Sequence, residues 1–227
     1  MENYLPVLEK VSLFAGIAPG ELLHLLRCLQ GAPRRYGKGE LLWQMGDTVT
    51  HVGVVLSGAV EAAEYGPDGT EHLAACQSAG SVIGDLLVAA DAPSPVTLRA
   101  QESTAVLFLP LDGILGDCGR GCEAHVRLRR NLLRETARKY WQARDRLRYL
   151  REARLEDRVL LFLRDQPPAD KSGYITVPYT RAQMAALLGA NRSALSRTLG
   201  QMEKKGLISY YRDTFRLNLL KNTEIAP

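Results

Sequence analysis

The strongest constraint on this chain is a change of texture near residue 117. Before it, short β-prone runs are punctuated by glycine-containing turn signals. Beyond Asp117 the glycines nearly vanish and an apolar heptad takes over. A chain that switches from one pattern to the other is built from differently constructed segments rather than one uniform layer. The runs at 52–56, 60–65 and 105–109 alternate with Gly37-Lys38-Gly39, Gly46-Asp47, Ser57-Gly58, Pro67-Asp68-Gly69 and Ala79-Gly80. Many short strands with frequent glycine turns predict a small all-β sandwich or barrel from Arg34 to about Leu111. Ahead of it, residues 4–29 read as short helices, with Leu22, Leu23, Leu25 and Leu26 at helical spacing and Pro19-Gly20-Glu21 as a start signal.

From Asp117 to about residue 151 the pattern predicts one long helix. Val126, Leu133, Tyr140 and Leu147 recur every seventh residue, with Thr136, Ala143 and Leu150 in the complementary heptad position. Such a stripe is a coiled-coil dimer seam, interrupted at its N-terminal end by Arg129 and expected to tighten towards Leu150. The competing reading is a helix packed only on its own β domain. A further helix at 154–163 leads into a linker-like loop at 166–173. The expected organisation is therefore a sensor-like β domain at 1–116, a dimerisation helix at 117–151 and a C-terminal domain at 152–227.

Charge divides the same way. The formal net charge of +4 combines a front, residues 1–116, with 6 Lys/Arg and 13 Asp/Glu, and a back with 23 and 12. A net +11 on the back half, against −7 on the front, points to a polyanion as its partner. No apolar run approaches the ~18 residues of a membrane span, so no membrane partner is expected. No basic-then-apolar leader opens the chain, and four cysteines make no disulfide framework, so a cytoplasmic protein with reduced thiols is expected.

The segment 180–208, TRAQMAALLGANRSALSRTLGQMEKKGLI, carries the most specific signal. Thr180 with Gln183 makes a capping box for a short helix whose buried face is Met184, Leu187 and Leu188, and Gly189 ends it. Asn191 caps a second helix with Leu195, Leu199 and Met202 on its buried face and Gly206 at its stop. Two helices joined by a tight glycine turn are the helix-turn-helix of DNA readers. Arg192, Ser193, Ser196 and Arg197 then occupy the N-terminal end that meets base edges, where Arg suits guanine O6/N7. Thr180, Gln201, Lys204 and Lys205 are the expected phosphate contacts. The runs 207–211 and 215–217 around Arg212-Asp213-Thr214 read as a hairpin wing.

These features together resemble the Crp–Fnr (catabolite activator) superfamily of bacterial transcription regulators. The family's glycine pattern stands here as Lys38-Gly39-Glu40, Gln44-x-Gly46-Asp47 and Val55-Leu56-Ser57-Gly58-x-Val60. Its pocket segment stands as Gly80-Ser81-Val82-Ile83-Gly84-Asp85, and the pattern TRxxxAxxLGxxRxxxSRxLxxxxxxGLI is matched over 180–208. The resemblance implies an α+β chain: a cyclic-nucleotide-binding-like β roll (a double-stranded β-helix), a long dimerisation helix and a C-terminal winged helix-turn-helix. It also implies a homodimer on a near-palindromic double-stranded DNA operator, with RNA polymerase as a partner, and an effector pocket at Ile83, Gly84, Asp85, Leu86, Ser94 and Thr97.

The effector itself stays open. Family members that bind cyclic AMP place a Glu after the pocket Gly and, about ten residues on, an Arg followed by Ser or Thr. This chain has Asp85 and an Arg-less segment 90–97, so the cyclic phosphate lacks its charge-assisted partner. An iron–sulfur cluster would need closely spaced N-terminal cysteines, and only Cys28 lies there. Haem would draw on His24, His51, His72 or Cys76, which show no spacing signature. Cys118-Gly-Arg-Gly-Cys122 offers a thiol pair beside Arg120. A small molecule in the pocket, haem and a thiol switch are thus the surviving effector classes. An enzyme of the cupin type, and a structural dimer whose β half binds nothing, are the other functional classes. Against the enzyme, His51 and His72 form no HxH pair, and there is no zinc signature, P-loop or Ser/His/Asp set, so neither a metal site nor catalysis is expected.

Overall fold

A computed structural model describes residues 2–116, 118, 121–168 and 173–218. The chain packs as two compact units that divide between Arg138 and Lys139, inside the long helix rather than at either of its ends.

The first unit opens with short 3-10 turns at Glu2–Tyr4 and Ser12–Phe14 and helices α1 (Leu5–Leu8) and α2 (Pro19–Cys28). Strands β1 (Ala32–Tyr36), β2 (Leu41–Trp43), β3 (His51–Ser57), β4 (Ala59–Tyr65), β5 (Glu71–Ser78) and β6 (Val82–Ile83) follow. Helix α3 (Asp85–Ala90), β7 (Thr97–Ala100), β8 (Thr104–Pro110) and α4 (Leu111–Leu115) complete the roll ahead of the long helix α5 (Glu123–Arg151). The strands form two antiparallel four-stranded sheets, β1-β8-β3-β6 and β2-β7-β4-β5. The runs expected at 52–56, 60–65 and 105–109 fall inside β3, β4 and β8; β1 and β5 carry mostly exposed side chains and gave no apolar signal.

Strand alternation assigns the cores, because successive side chains point to opposite faces. On β3 and β8, Val52, Val54, Leu56, Ala105, Leu107 and Leu109 pack with Leu22, Leu25 and Leu26 of α2 and with Ala124, Leu128 and Leu132 of α5. Their neighbours Val55 and Val106 join Ile83, Trp43, Val60, Ala62 and Leu98 in a second cluster fed by both sheets. Helix α5 is also held to the first unit by polar contacts. Asn131 Nδ2 donates to the carbonyls of Leu13 (3.0 Å) and Ala15 (2.9 Å), and Ser12 Oγ donates to Glu135 Oε2 (2.7 Å). Arg129, which interrupts the heptad, donates to the carbonyl of Gly116 (2.9 Å) at the end of α4.

The second unit contains the C-terminal part of α5, α6 (Leu155–Asp165), β9 (Tyr174–Thr176), α7 (Arg181–Leu187), α8 (Arg192–Lys204), β10 (Ile208–Tyr211) and β11 (Thr214–Leu217). Its core gathers Tyr149, Val159, Phe162, Met184, Leu188, Leu195, Leu199, Met202 and Phe215. Helix α6 matches the segment expected at 154–163. The wing is a three-stranded sheet, β10-β11-β9, so the expected hairpin gains a third strand from the segment after the linker.

The heptad stays out of both cores: Val126, Leu133, Tyr140 and Leu147 are 44–71% exposed. Leu150 differs from expectation. It is half-buried and lies against Gly189 within the second unit, so its side chain is engaged inside its own chain. Asp117, with which the helix was expected to begin, lies outside the described residues; α5 starts at Glu123.

Between β3 and β4, Gly58 has φ +75°, and a Cβ there would meet Ser103 O and Thr104 Oγ1 at 2.5 Å. Gly39 shares the left-handed conformation (φ +80°) with open space around it. In denaturant unfolding, Gly39→Ala should cost about 1–2 kcal/mol from backbone conformation alone. Gly58→Ala should cost about 1–3 kcal/mol more, from overpacking. Equal costs would show that the Ser103–Thr104 contact does not constrain this turn.

Candidate nucleic-acid interface and sensor site

The helix-turn-helix forms as its caps dictate. Thr180 Oγ1 accepts from Gln183 N (3.2 Å) while Gln183 Oε1 accepts from Thr180 N (2.9 Å), which satisfies two amides at the start of α7. Gly189 (φ +64°) turns the chain, and a Cβ there would strike Leu150 at 2.5 Å. Asn191 Oδ1 then accepts from Ala194 N (2.8 Å) and from Ser193 Oγ (2.7 Å) to begin α8. Caps of this type are each worth about 1 kcal/mol.

With Leu195, Leu199 and Met202 buried, helical periodicity leaves the opposite face of α8 to solvent. Arg192, Ser193, Ser196, Arg197, Gln201 and Lys204 are all exposed, as is Thr180 at the entry of α7. Ser193, Arg197, Gln201 and Lys204 follow one another at spacings of four, four and three, which lines them up along one stripe. Lys205 is different. Its Nζ donates to Glu156 Oε2 at 2.6 Å, so the expected phosphate contact is already paired with a carboxylate of α6.

Three arginines, one at the start of α7 and two of the wing, escaped sequence reasoning. Arg181 lies over the rings of Tyr210 (5.3 Å) and Phe215 (4.9 Å) and donates to the Arg212 carbonyl, pinning α7 to the wing. Burial pulls its pKa down from the usual arginine range. Arg212, at φ +53° in the two-residue turn between β10 and β11, is exposed, and Arg216 is exposed on β11. Their alternation with aromatic residues in 210–216 is the signal that could have found them.

In the first unit, the expected effector residues divide by environment. Ile83 is core. Gly84 (φ +73°) precedes α3, with His51 O 3.0 Å from where its Cβ would be, Asp85 is buried and Leu86 is exposed. Ser94 and Thr97 meet at the loop after β2. Ser94 Oγ accepts from Trp43 Nε1 (3.0 Å) and donates to Val96 O (2.7 Å), and Thr97 Oγ1 accepts from Met45 N (3.2 Å). Arg99, the nearest arginine in sequence, is already paired with carboxylates. It follows the inward Leu98, and Glu61 Oε1 accepts from its Nε at 2.5 Å while Glu71 accepts from its other nitrogens. The two carboxylates raise its pKa further, and Arg99 in turn lowers that of Glu71. A separate cleft of about 410 Å³ is lined by residues including Arg34, Tyr36, Trp43, Asp47, His51 and Phe108, and by none of the six expected residues.

The haem candidates sit on three different elements. His24 lies beside Cys28 on α2 (3.5 Å), His51 beside Thr50 on β3 (2.8 Å), and His72 and Cys76 lie on β5. Burial pushes the Cys76 thiol pKa up, away from thiolate chemistry. Cys118 and Cys122 are close and not joined in a disulfide. Among the described residues one group of three metal-ligating side chains converges: Cys118, Cys122 and His125, with ligand atoms all within 4.8 Å of one another. The sequence reading expected no metal ligands and passed over His125, although its i, i+3 spacing from Cys122 was visible.

The comparisons with known proteins agree with this geometry. Residues 33–116 match the family model of the cyclic nucleotide-binding domain, and residues 127–221 match the Crp-like helix-turn-helix domain. The chain is 26% identical over 208 residues to a CRP-like cAMP-activated global transcriptional regulator of Mycobacterium tuberculosis, covering 89% of this chain and 90% of that protein. It is 26% identical over 180 residues to the transcriptional activator protein FnrA of Stutzerimonas stutzeri, covering 75% and 70% respectively. A solved structure of CprK complexed with OCPA shares the fold, with TM-score 0.59 at 17% identity, covering 86% of this chain and 88% of that one. These relatives are transcription regulators, not enzymes, and no described helix is long and apolar enough to cross a membrane. With a cyclic nucleotide-binding domain followed by a Crp-like helix-turn-helix, this chain belongs to the Crp–Fnr superfamily of DNA-binding transcription regulators.

Proposed function

We propose that this chain acts as a homodimeric, sequence-specific regulator of transcription in the cytoplasm. It binds a near-palindromic operator through α8, works with RNA polymerase, and is controlled by an effector sensed in its first unit. The observation that carries the reading is the exposed stripe Ser193, Arg197, Gln201 and Lys204, with Arg192 and Ser196 beside it, on a helix started by the Asn191 side-chain cap. Arg197 and Arg192 are the guanine readers. Lys204 and Thr180 take phosphates, while Lys205 must first exchange Glu156 for the backbone. Such an exchange is cheap at the surface, where an ion pair is worth at most about 1 kcal/mol.

Dimerisation follows from the heptad. Four large apolar side chains at seven-residue intervals, all exposed on one 29-residue helix, need a second copy to cover them. The effector is a small molecule other than cyclic AMP. The Mycobacterium tuberculosis relative is described as cAMP-activated, but here segment 90–97 has no arginine, Ser94 is engaged with Trp43, and Arg99 is engaged with two glutamates.

Selection of sites from random duplexes should enrich a near-palindrome whose half-sites are ~10 bp apart. Arg197→Ala should lose roughly 1–3 kcal/mol and relax one base position. Lys204→Ala should weaken all sequences alike and flatten the salt dependence. An unchanged Arg197→Ala consensus would remove Arg197 as a reader. For the seam, Leu133→Lys with Leu147→Lys should convert dimer to monomer by sedimentation; a dimer that survives both changes is built elsewhere. Calorimetric titration of cyclic AMP into the full chain should give no resolvable heat of binding, and a micromolar dissociation constant would mean that a phosphate-binding cation exists outside 90–99.

A further inference from the structure

We propose that Cys118, Cys122 and His125 form a binding site for a thiophilic d10 cation of the zinc class, at the point where α5 begins. The proposal rests on the reading of the first unit as a sensor only for its regulatory meaning; the site itself stands on geometry.

The two sulfurs and one imidazole nitrogen lie within 4.8 Å of one another. Around a tetrahedral Zn(II), ligands bonded at about 2.0–2.3 Å stand about 3.3–3.8 Å apart, so closure needs a movement of about 1 Å. The local structure favours that closure. Cys122 is the residue before α5 and His125 lies three positions on, with both His125 N and Val126 N donating to the Cys122 carbonyl (3.1 and 3.4 Å). The i, i+3 relation puts the two side chains on one face. Cys118 lies within reach of both. Gly121 (φ +58°) adopts a conformation that side chains resist, and Arg129 on α5 holds the Gly116 carbonyl just upstream.

The environment fits a cation rather than a pair of bystander thiols. His125 is buried at 3% exposure, the cysteines are half-buried, and Cys122 packs on the first-unit core. Binding removes one proton from each thiol and uses the neutral imidazole. Two thiolates then balance a divalent charge, and a neutral centre tolerates partial burial. Three protein ligands leave the fourth position to water or an incoming donor. The soft sulfur pair selects zinc over magnesium or calcium. Because the ligands come from the loop after α4 and from the first turn of α5, loading fastens the start of that helix to the β roll. It would thus supply a signal at the helix proposed to form the dimer.

The test uses the full chain, stripped of metal and kept reduced with a phosphine. Zn(II) is titrated against a chromophoric chelator, and Co(II) is added as an optical probe. One equivalent should bind, with thiolate-to-cobalt charge transfer and the intense visible bands of a tetrahedral site. Outer-shell changes alone cost about 10–100-fold in affinity, so Cys118→Ser and Cys122→Ser should each weaken binding by ~100-fold or more. His125→Asn should keep the sulfur charge transfer and lose the tetrahedral visible bands. Cys28→Ser, on α2, should match the parent. Absence of cobalt–thiolate absorption in the parent overturns the proposal, as does a His125→Asn protein with parental affinity and spectrum. Should His125→Asn fail to fold, Cys118→Ser decides, since that residue lies outside the helix. Binding to the selected operator, measured on the same samples, separates the two readings. A parent that binds operator but no cobalt loses the metal site alone, and one that binds cobalt but no operator loses the regulator reading alone.

Discussion

The structure depends on one helix serving several surfaces. Within its first half, Ala124, Leu128 and Leu132 enter the core of the β roll, and Asn131 and Glu135 bind the turn at 12–15. Within its last turns, Tyr149 enters the core of the helix-turn-helix unit, where its hydroxyl donates to Asp165 at 2.8 Å. The heptad residues remain outside both. An α-helix can do this because its 3.6-residue turn offers distinct faces to different neighbours. Both cores draw on α5, and its heptad residues are left exposed for the dimer proposed above.

Charge acts through local pairing more than through totals. The basic back half draws a polyanion, yet the residues able to meet it are decided by neighbours: Lys204 is exposed, while Lys205 is held by Glu156. The same logic governs the sensor. Arg99 is the one arginine close to the pocket segment in sequence, and Glu61 and Glu71 occupy its hydrogen-bond donors. An anion would have to displace two carboxylates to reach it. The wing shows the converse, with Arg181 withdrawn into a structural role over Tyr210 and Phe215, and Arg212 and Arg216 left exposed.

Much of the fold was legible before any coordinates. The runs at 52–56, 60–65 and 105–109, the start of α2 at Pro19, the Thr180–Gln183 box, the Asn191 cap and the hairpin wing all lie where local patterns put them. Strands β1, β2, β5, β6, β7 and β9 were not named individually, because their side chains are largely exposed or their runs too short to show a period. Leu150 was assigned to the seam because it occupies the right heptad position, but Gly189 lacks a side chain and opens a place for it in its own unit. His125 was passed over although it stands three positions after Cys122, because spacing alone does not show that Cys118 comes within reach of both.

The sequence by itself determined the periods, the caps, the turns and the division of charge, all of which follow from residues a few positions apart and from backbone geometry common to every chain. It also carried the family, through glycines and a helix-turn-helix pattern whose spacings are local. Only the tertiary structure decided the pairings: Lys205 with Glu156, 49 positions away, Arg99 with Glu61 and Glu71, 38 and 28 away, and the convergence of two thiols with an imidazole. A side chain's partner depends on strand register and helix packing, and residue type alone does not encode which of several oppositely charged groups will arrive within 3 Å.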